Sequence, residues 1–195
     1  TTASLMARLY DPTQGMVLLK GKDIREYGDE ERTETIGFIL QEPFLFSGTL
    51  KDNILYGNKK YQDYDFKQTE ELVKESGLSD LLSRFEQGLE TPVSVGGSSI
   101  SLGQKQLIAF IRAVLRKPEI LILDEATANV DTLTEESLQV VLDKLPKETT
   151  RVIIAHRLHT IAKADEIFFV NSGEVVSAGS MEHAVEMLMH GKRKS

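Results

Sequence analysis

The sequence contains no cysteine, which excludes disulfide bonds and thiolate chemistry. It also has no apolar run long enough to span a bilayer. There is no excess of positive charge: the net charge is −7 and both signs are spread along the chain, so we expect no nucleic-acid partner. What remains is 195 residues, 41% hydrophobic and 27% charged, which is enough for one globular domain with a real core.

The stretch 100–131 carries most of the information about function. Apolar residues recur at helical spacing over 107–115, which predicts a helix from Ser101 to about Leu115 with one buried face. Ser101 is a suitable N-cap, and Gly103 lets another backbone come close. Because a helix start presents unpaired N–H groups and the positive end of the helix dipole, it favours bound phosphate.

A short apolar strand is predicted at 120–123, after Lys117-Pro118 has ended the helix. Two carboxylates, Asp124 and Glu125, follow it directly. In open α/β sheets the strand ends are where ligands bind, so the pair suggests one carboxylate for a metal ion and one for a water molecule. Taken alone, the pair fits a solvated acidic turn better.

Three motifs in a fixed order reverse that preference. Residues 100–104 resemble the signature motif, 120–125 the Walker B motif and 128–131 the D-loop of the ATP-binding cassette (ABC) ATPases, although the signature usually has glycine where Leu102 stands. The resemblance implies a P-loop NTPase-like α/β fold with a mostly parallel sheet flanked by helices. It also implies a helical subdomain that carries the signature helix, at about residues 50–115.

The first ten residues predict a helix that stops at Asp11-Pro12. Its buried stripe would consist of Leu5, Met6 and Leu9. In the P-loop pattern a glycine-rich loop and a lysine come immediately before Ser or Thr and a helix, so the resemblance makes Thr1 the Mg²⁺-binding hydroxyl and places Thr2 at the nucleotide. The loop, the lysine and the strand before them do not occur in 1–195, so we expect a truncated nucleotide-binding domain that is poorly active by itself.

Two further phrases resemble exporter-type cassettes. Gln41 follows a predicted strand at 36–40 and opens a phrase similar to the Q-loop, whose glutamine reaches the Mg²⁺ and the attacking water. His156 follows another predicted strand and lies in 155–161, which resembles the switch region, whose histidine contacts the γ-phosphate.

Three residues of the Q-loop phrase, Pro43, Phe44 and Phe46, would lie where the coupling helices of a membrane domain dock. The alternative for these aromatic side chains is ordinary core packing. The resemblance therefore implies a transmembrane partner, and it places the domain at the cytoplasmic face of a membrane.

The resemblance also assigns the catalytic roles. Asp124 would hold Mg²⁺, with the hydroxyl of Thr1 as a further ligand. Glu125 would polarise the attacking water as general base, and Gln41 would orient that water or the metal. His156 would stabilise the γ-phosphate of ATP.

A second nucleotide-binding domain completes the implied site, because the signature motif acts across a head-to-tail dimer. Ser101, Gly103 and Gln104 would bind the nucleotide held by the second copy, and Asp131 would help to join the two sites. The sequence leaves open whether that copy is identical or a paralogue. The predicted function is ATP hydrolysis that drives export.

Two other classes of function share some of these sequence features. A soluble cassette ATPase of DNA repair or chromosome maintenance shares these motifs, but no sustained heptad run and no basic surface appear here. A non-catalytic cassette that only binds nucleotide or a partner is the second alternative. The presence of both Glu125 and His156 argues against it.

Overall fold

A computed structural model describes residues 2–124, 132–154, 164–171, 173–179, 183 and 185. The chain divides into two compact units, Thr1–Ile154 and Ala155–Ser195. The first unit contains a parallel sheet with helices, so the predicted α/β class is confirmed. In the second unit, the described residues form a β-hairpin.

The strands and helices below are numbered in chain order. The described strands are β1 (Leu18–Leu19), β2 (Lys22–Asp23), β3 (Ile36–Ile39), β4 (Gly48–Thr49), β5 (Pro92–Val93), β6 (Ile120–Asp124), β7 (Thr150–Ile154), β8 (Phe168–Asn171) and β9 (Glu174–Ser177). The described α-helices are α1 (Thr2–Met6), α2 (Asp29–Thr35), α3 (Leu50–Leu55), α4 (Phe66–Glu75), α5 (Ser79–Leu82), α6 (Leu102–Leu115) and α7 (Thr132–Lys144).

The central sheet has the order β3–β6–β7, and both pairings are parallel. Alternate residues of β6 enter two different cores. Leu121 and Leu123 pack in the core that contains α6, whereas Ile122 packs with Ala3 of α1. The strand is therefore buried on both faces, which explains why its sequence is an unbroken apolar run.

Helix α6 confirms the helical pattern predicted from the sequence. It begins after Ser101, and the side chains of Leu107, Ile108 and Ile111 are almost completely buried. The helices α3 to α6 occupy the stretch 50–115, and several of their side chains share one core with β3 and β6. A separate helical subdomain in this stretch remains a prediction.

The prediction for the first helix was wrong in its length and in part of its buried face. Helix α1 ends at Met6, and Arg8 has a left-handed φ of 52°. The guanidinium of Arg8 donates to the carbonyl oxygen of Tyr27 at 3.4 Å, which holds this turn. Because the chain leaves the helix here, Leu9 is 50% exposed and Ala3 is the buried residue.

Candidate functional site

Two predicted site residues meet at one edge of the central sheet. Ile39 of β3 is paired with Leu123 of β6, so Gln41 and Asp124 follow neighbouring strands within two residues of this pair. Asp124 is half-buried and is itself paired with Ile154, the last residue of β7. Gln41 is exposed. The carboxyl ends of three adjacent parallel strands thus form one edge, which is where such sheets bind ligands.

Four predicted site residues, Thr1, Glu125, Asp131 and His156, lie outside the described residues. Glu125 follows Asp124 directly, and His156 comes two residues after the end of β7. Thr2 is exposed at the start of α1. The roles of all these residues remain predictions.

The donor set at the sheet edge is suitable for Mg²⁺. Asp124 and Gln41 offer a carboxylate and an amide oxygen, the hard ligands that this ion prefers. Within the described ranges, no three His, Asp or Glu side chains are grouped so that they could hold a metal by themselves. Mg²⁺ is usually held by one or two carboxylates together with substrate phosphates, so a site with few protein ligands fits.

The start of α6 is a capped and accessible helix N-terminus. The Ser101 hydroxyl accepts from the backbone N–H of Gln104 at 3.2 Å, and the Gln104 side chain accepts from the N–H of Ser101 at the same distance. The Gln104 amide also donates to the carbonyl of Arg84 at 3.3 Å. Ser101 is exposed and Gly103 half-buried, so phosphate can approach this helix start.

One residue that the sequence analysis did not identify links helix α6, which begins at Ser101, to the backbone of Gln41. Gln106 of α6 is 1% exposed, and its side-chain amide donates to the backbone carbonyl of Gln41 at 3.2 Å. The sequence contains one signal for it: a glutamine that directly precedes the apolar stripe of α6. A buried polar side chain needs a partner, and here the partner is the backbone of a predicted site residue.

The rest of the segment 41–49 is held by Asn53 of α3 and Arg112 of α6. The Asn53 side chain bonds both the N–H and the carbonyl of Phe46, at 3.0 and 2.9 Å. Arg112 donates to the carbonyl of Phe44 at 3.3 Å and to that of Asn53 at 2.7 Å. The backbone of the segment is therefore fixed against two helices.

Three exposed aromatic side chains form a surface: two belong to this segment, and the third is Tyr56, which directly follows α3. Phe46 stacks on Tyr56 at 4.0 Å between ring centroids and meets Phe44 edge to face at 5.1 Å. Phe44, Phe46 and Tyr56 are 59%, 37% and 50% exposed. Core packing is therefore the wrong interpretation of Phe44 and Phe46, whereas Pro43 is buried.

Arg112 lies beneath this aromatic surface. Its guanidinium is 5.9 Å from the ring centroid of Phe46 and 5.8 Å from that of Tyr56. Burial, together with the charge of Arg116, lowers the pKa of Arg112 to about 10, so the side chain stays protonated at neutral pH. No carboxylate in the described part of the chain forms an ion pair with it, and aromatic faces and carbonyl oxygens stabilise the cation instead.

Comparison with known proteins gives a consistent result. Residues 1–128 match the family described as ABC transporter. The chain is 42% identical over 185 residues to the uncharacterized ABC transporter ATP-binding protein YfiC of Bacillus subtilis, covering 95% of this chain and 30% of that protein. It is 40% identical over 186 residues to the ATP-dependent lipid A-core flippase of Escherichia coli K12, covering 95% of this chain and 32% of that protein.

A solved structure shows the same fold. A bacterial Atm1-family ABC exporter with ATP bound superimposes with a TM-score of 0.81 at 32% identity, over 97% of this chain and 33% of the exporter chain. The chain thus spans about a third of the length of each of these proteins. None of the helices described between residues 2 and 154 has the length and apolar character needed to cross a membrane.

Proposed function

Because the chain belongs to the ABC transporter family, we propose that it is part of a nucleotide-binding domain that hydrolyses ATP to drive export across a membrane. One observation carries the proposal. Three adjacent parallel strands end at the same edge of the sheet, where Asp124 is the last residue of β6 and Gln41 lies two residues beyond β3. Phosphoryl transfer to water depends on positioning and charge stabilisation, which side chains at one such edge can supply.

Each side chain has a role in this mechanism. Asp124 and the hydroxyl of Thr1 would hold Mg²⁺, which would supply positive charge near the substrate phosphates. Glu125 accepts the proton of the attacking water, and Gln41 orients that water through its amide. His156 donates a hydrogen bond to the γ-phosphate, where negative charge develops.

A second nucleotide-binding domain, bound head to tail, supplies the other half of each site in this proposal. Ser101, Gly103 and Gln104 then contact the γ-phosphate held by the partner through the start of α6, and Asp131 joins the two sites. Two features support this arrangement: the helix start is accessible, and the described hydrogen bonds of Ser101 are with Gln104 and Lys105 of its own helix.

The partner at the aromatic surface is, in this proposal, the membrane-spanning part of the transporter, and the domain lies at the cytoplasmic face. Exposed aromatic side chains are the kind of surface that a partner helix covers. Phe44, Phe46 and Tyr56 make that contact, whereas the buried Pro43 only shapes the segment. The names and lengths of the similar proteins support a transporter larger than this chain.

The decisive experiment compares two variants in the natural full-length protein. Glu125→Gln removes the general base, so ATP turnover falls about 10²- to 10⁴-fold while nucleotide binding persists. Asp124→Asn removes the metal ligand, so Mg²⁺ no longer strengthens nucleotide binding. Turnover is measured by phosphate release, and binding by calorimetry with and without Mg²⁺.

Glu119→Gln is the matched control, because Glu119 directly precedes β6 at the opposite end of the strand and its side chain forms an exposed ion pair with Lys20. Such surface pairs contribute about 0–1 kcal/mol, so this variant keeps wild-type turnover. Full turnover in Glu125→Gln, or equal losses in all three variants, would contradict the proposed site.

A further inference from the structure

The signature helix and the Gln41 segment are joined by a hydrogen bond from a buried side chain. Gln106 lies in the second turn of α6, five residues after the N-cap Ser101. Its Nε2 donates to the Gln41 carbonyl at 3.2 Å, and the side chain is 1% exposed. The donor is therefore shielded from water, and in such surroundings a hydrogen bond is stronger than at the surface.

The chemistry of the two groups fixes the orientation of the Gln106 amide. A backbone carbonyl only accepts, so the NH₂ group must face Gln41. The Oε1 atom on the other side is buried and has no hydrogen-bond partner in the described part of the chain. An unpaired buried oxygen costs about 1–3 kcal/mol, so an apolar side chain of the same size would be at least as stable here. Stability alone does not explain a glutamine at this position.

Gln106 acts at one end of a segment that is fixed independently at the other end. Arg112 and Asn53 hold the backbone further along, at Phe44 and Phe46. Gln41 itself lies just beyond the end of β3. Without the bond from Gln106, the segment would keep its far attachment but would lose this direct link between the Gln41 backbone and α6.

We propose that Gln106 is a positioning residue that fixes the backbone of Gln41 against helix α6. How far the Gln41 side chain extends into the site at the strand ends then depends on the position of α6. The inference rests on the proposed function, which gives Gln41 and Ser101 their roles. In the proposed dimer, Gln41 acts on the nucleotide of its own copy, and Ser101 contacts the nucleotide of the partner. Gln106 therefore makes catalysis at one site depend on closure of the other site. A displacement of about 1 Å can reduce turnover about 10²-fold, so a single bond is sufficient.

The first test is Gln106→Met in the natural full-length protein. Methionine keeps the length of the side chain but removes the donor and the unpaired oxygen, so thermal stability should be equal or higher. The turnover number should fall about 10- to 100-fold with an unchanged KM for ATP. Hydrogen exchange without nucleotide should become faster in residues 40–42 and stay unchanged in α4.

Thr69→Val is the matched control. The hydroxyl of Thr69 is fully buried in α4 and donates to the carbonyl of Asp65 at 2.6 Å, so this variant also loses one buried bond from a side chain to a carbonyl. It is expected to lower stability without changing the ratio of turnover number to KM. A second variant, Gln106→Glu, keeps the shape and is studied at a pH at which infrared spectroscopy shows its carboxylate to be ionised; the carboxylate then repels the carbonyl, so turnover should be lower than that of Gln106→Met.

The outcomes separate this inference from the proposed function. An active wild-type protein together with a Gln106→Met variant of unchanged turnover and unchanged exchange would overturn the inference alone. So would a loss of activity explained by lower stability, or a Gln106→Glu variant as active as the wild type. An inactive wild-type protein would contradict the proposed function, and this inference with it.

Discussion

Arg112 is a half-buried cation whose described hydrogen-bond partners are carbonyl and amide oxygens. Its guanidinium donates to Phe44 and Asn53, and it lies near the faces of Phe46 and Tyr56. A planar group with several fixed donors can make these bonds at once, whereas an ammonium group cannot. The aromatic surface and the segment beneath it therefore depend on arginine in particular.

We predict that Arg112→Lys lowers the free energy of unfolding by about 1–3 kcal/mol, because the carbonyl groups of Phe44 and Asn53 lose their donors and the latter lies in a part-buried contact. Equilibrium denaturation measures this loss. Arg151→Lys is the control, since Arg151 is exposed and donates to one carbonyl, that of Leu142. It should change stability by less than about 0.5 kcal/mol. Equal effects of the two substitutions would contradict the structural role of Arg112.

At the scale of elements, the N-terminus of α6 combines a stabilising role with a proposed functional one. Ser101 and Gln104 form a reciprocal capping box, which satisfies N–H groups that the helix leaves unpaired. The same exposed helix start is where the proposed mechanism places the partner's γ-phosphate. Substitutions at Ser101 can separate these roles, because aspartate caps a helix as well as serine but repels phosphate.

We predict that Ser101→Ala costs about 1 kcal/mol of stability through loss of the cap. Ser101→Asp should keep the wild-type melting temperature and yet abolish most ATP turnover, because its charge faces the substrate. Thermal unfolding and phosphate release in the natural full-length protein measure the two effects. Asp65→Ser at the N-cap of α4 is the control, and it should change neither turnover nor stability appreciably. Wild-type turnover in Ser101→Asp would show that Ser101 lies away from the phosphate.

At the scale of the whole molecule, one large core joins the helices of 50–115 to the central sheet. Ile108 of α6 is fully buried within it, together with Ile39 of β3 and Leu123 of β6. The elements that carry Ser101 and Asp124 therefore share their packing. Damage to this core should affect the helices and the sheet together.

We predict that Ile108→Ala destabilises the domain by about 2–5 kcal/mol, the range for deletion of a large buried aliphatic side chain. Val140→Ala is the control, because Val140 of α7 is 51% exposed, and it should lower the free energy of unfolding much less. Hydrogen exchange should rise in both α6 and β6 of the Ile108→Ala variant. If exchange rose in α6 alone, the helices and the sheet would be independent units.

Local patterns predicted the main elements because the cause of each pattern is local. The apolar spacing after Ser101 predicted α6 and its N-cap, and the short apolar run before Asp124 predicted β6. The prediction for the first helix failed beyond Met6, where Arg8 adopts a left-handed φ and the N–H groups of Arg8 and Leu9 donate back to the last turn of the helix. Arginine is not a residue type that favours this conformation, so its identity gave no signal for the turn.

The sequence by itself determined the family, the α/β class and the order of the motifs, since these depend on residue identities at fixed spacings along one chain. Only the tertiary structure decided which side chains meet. It placed the end of β3, which leads to Gln41, next to the end of β6 at Asp124, brought Gln106 against the Gln41 backbone, and left Phe44 exposed. The bond between Gln106 and Gln41 joins residues 65 positions apart, so strand register and helix packing set such contacts rather than local spacing.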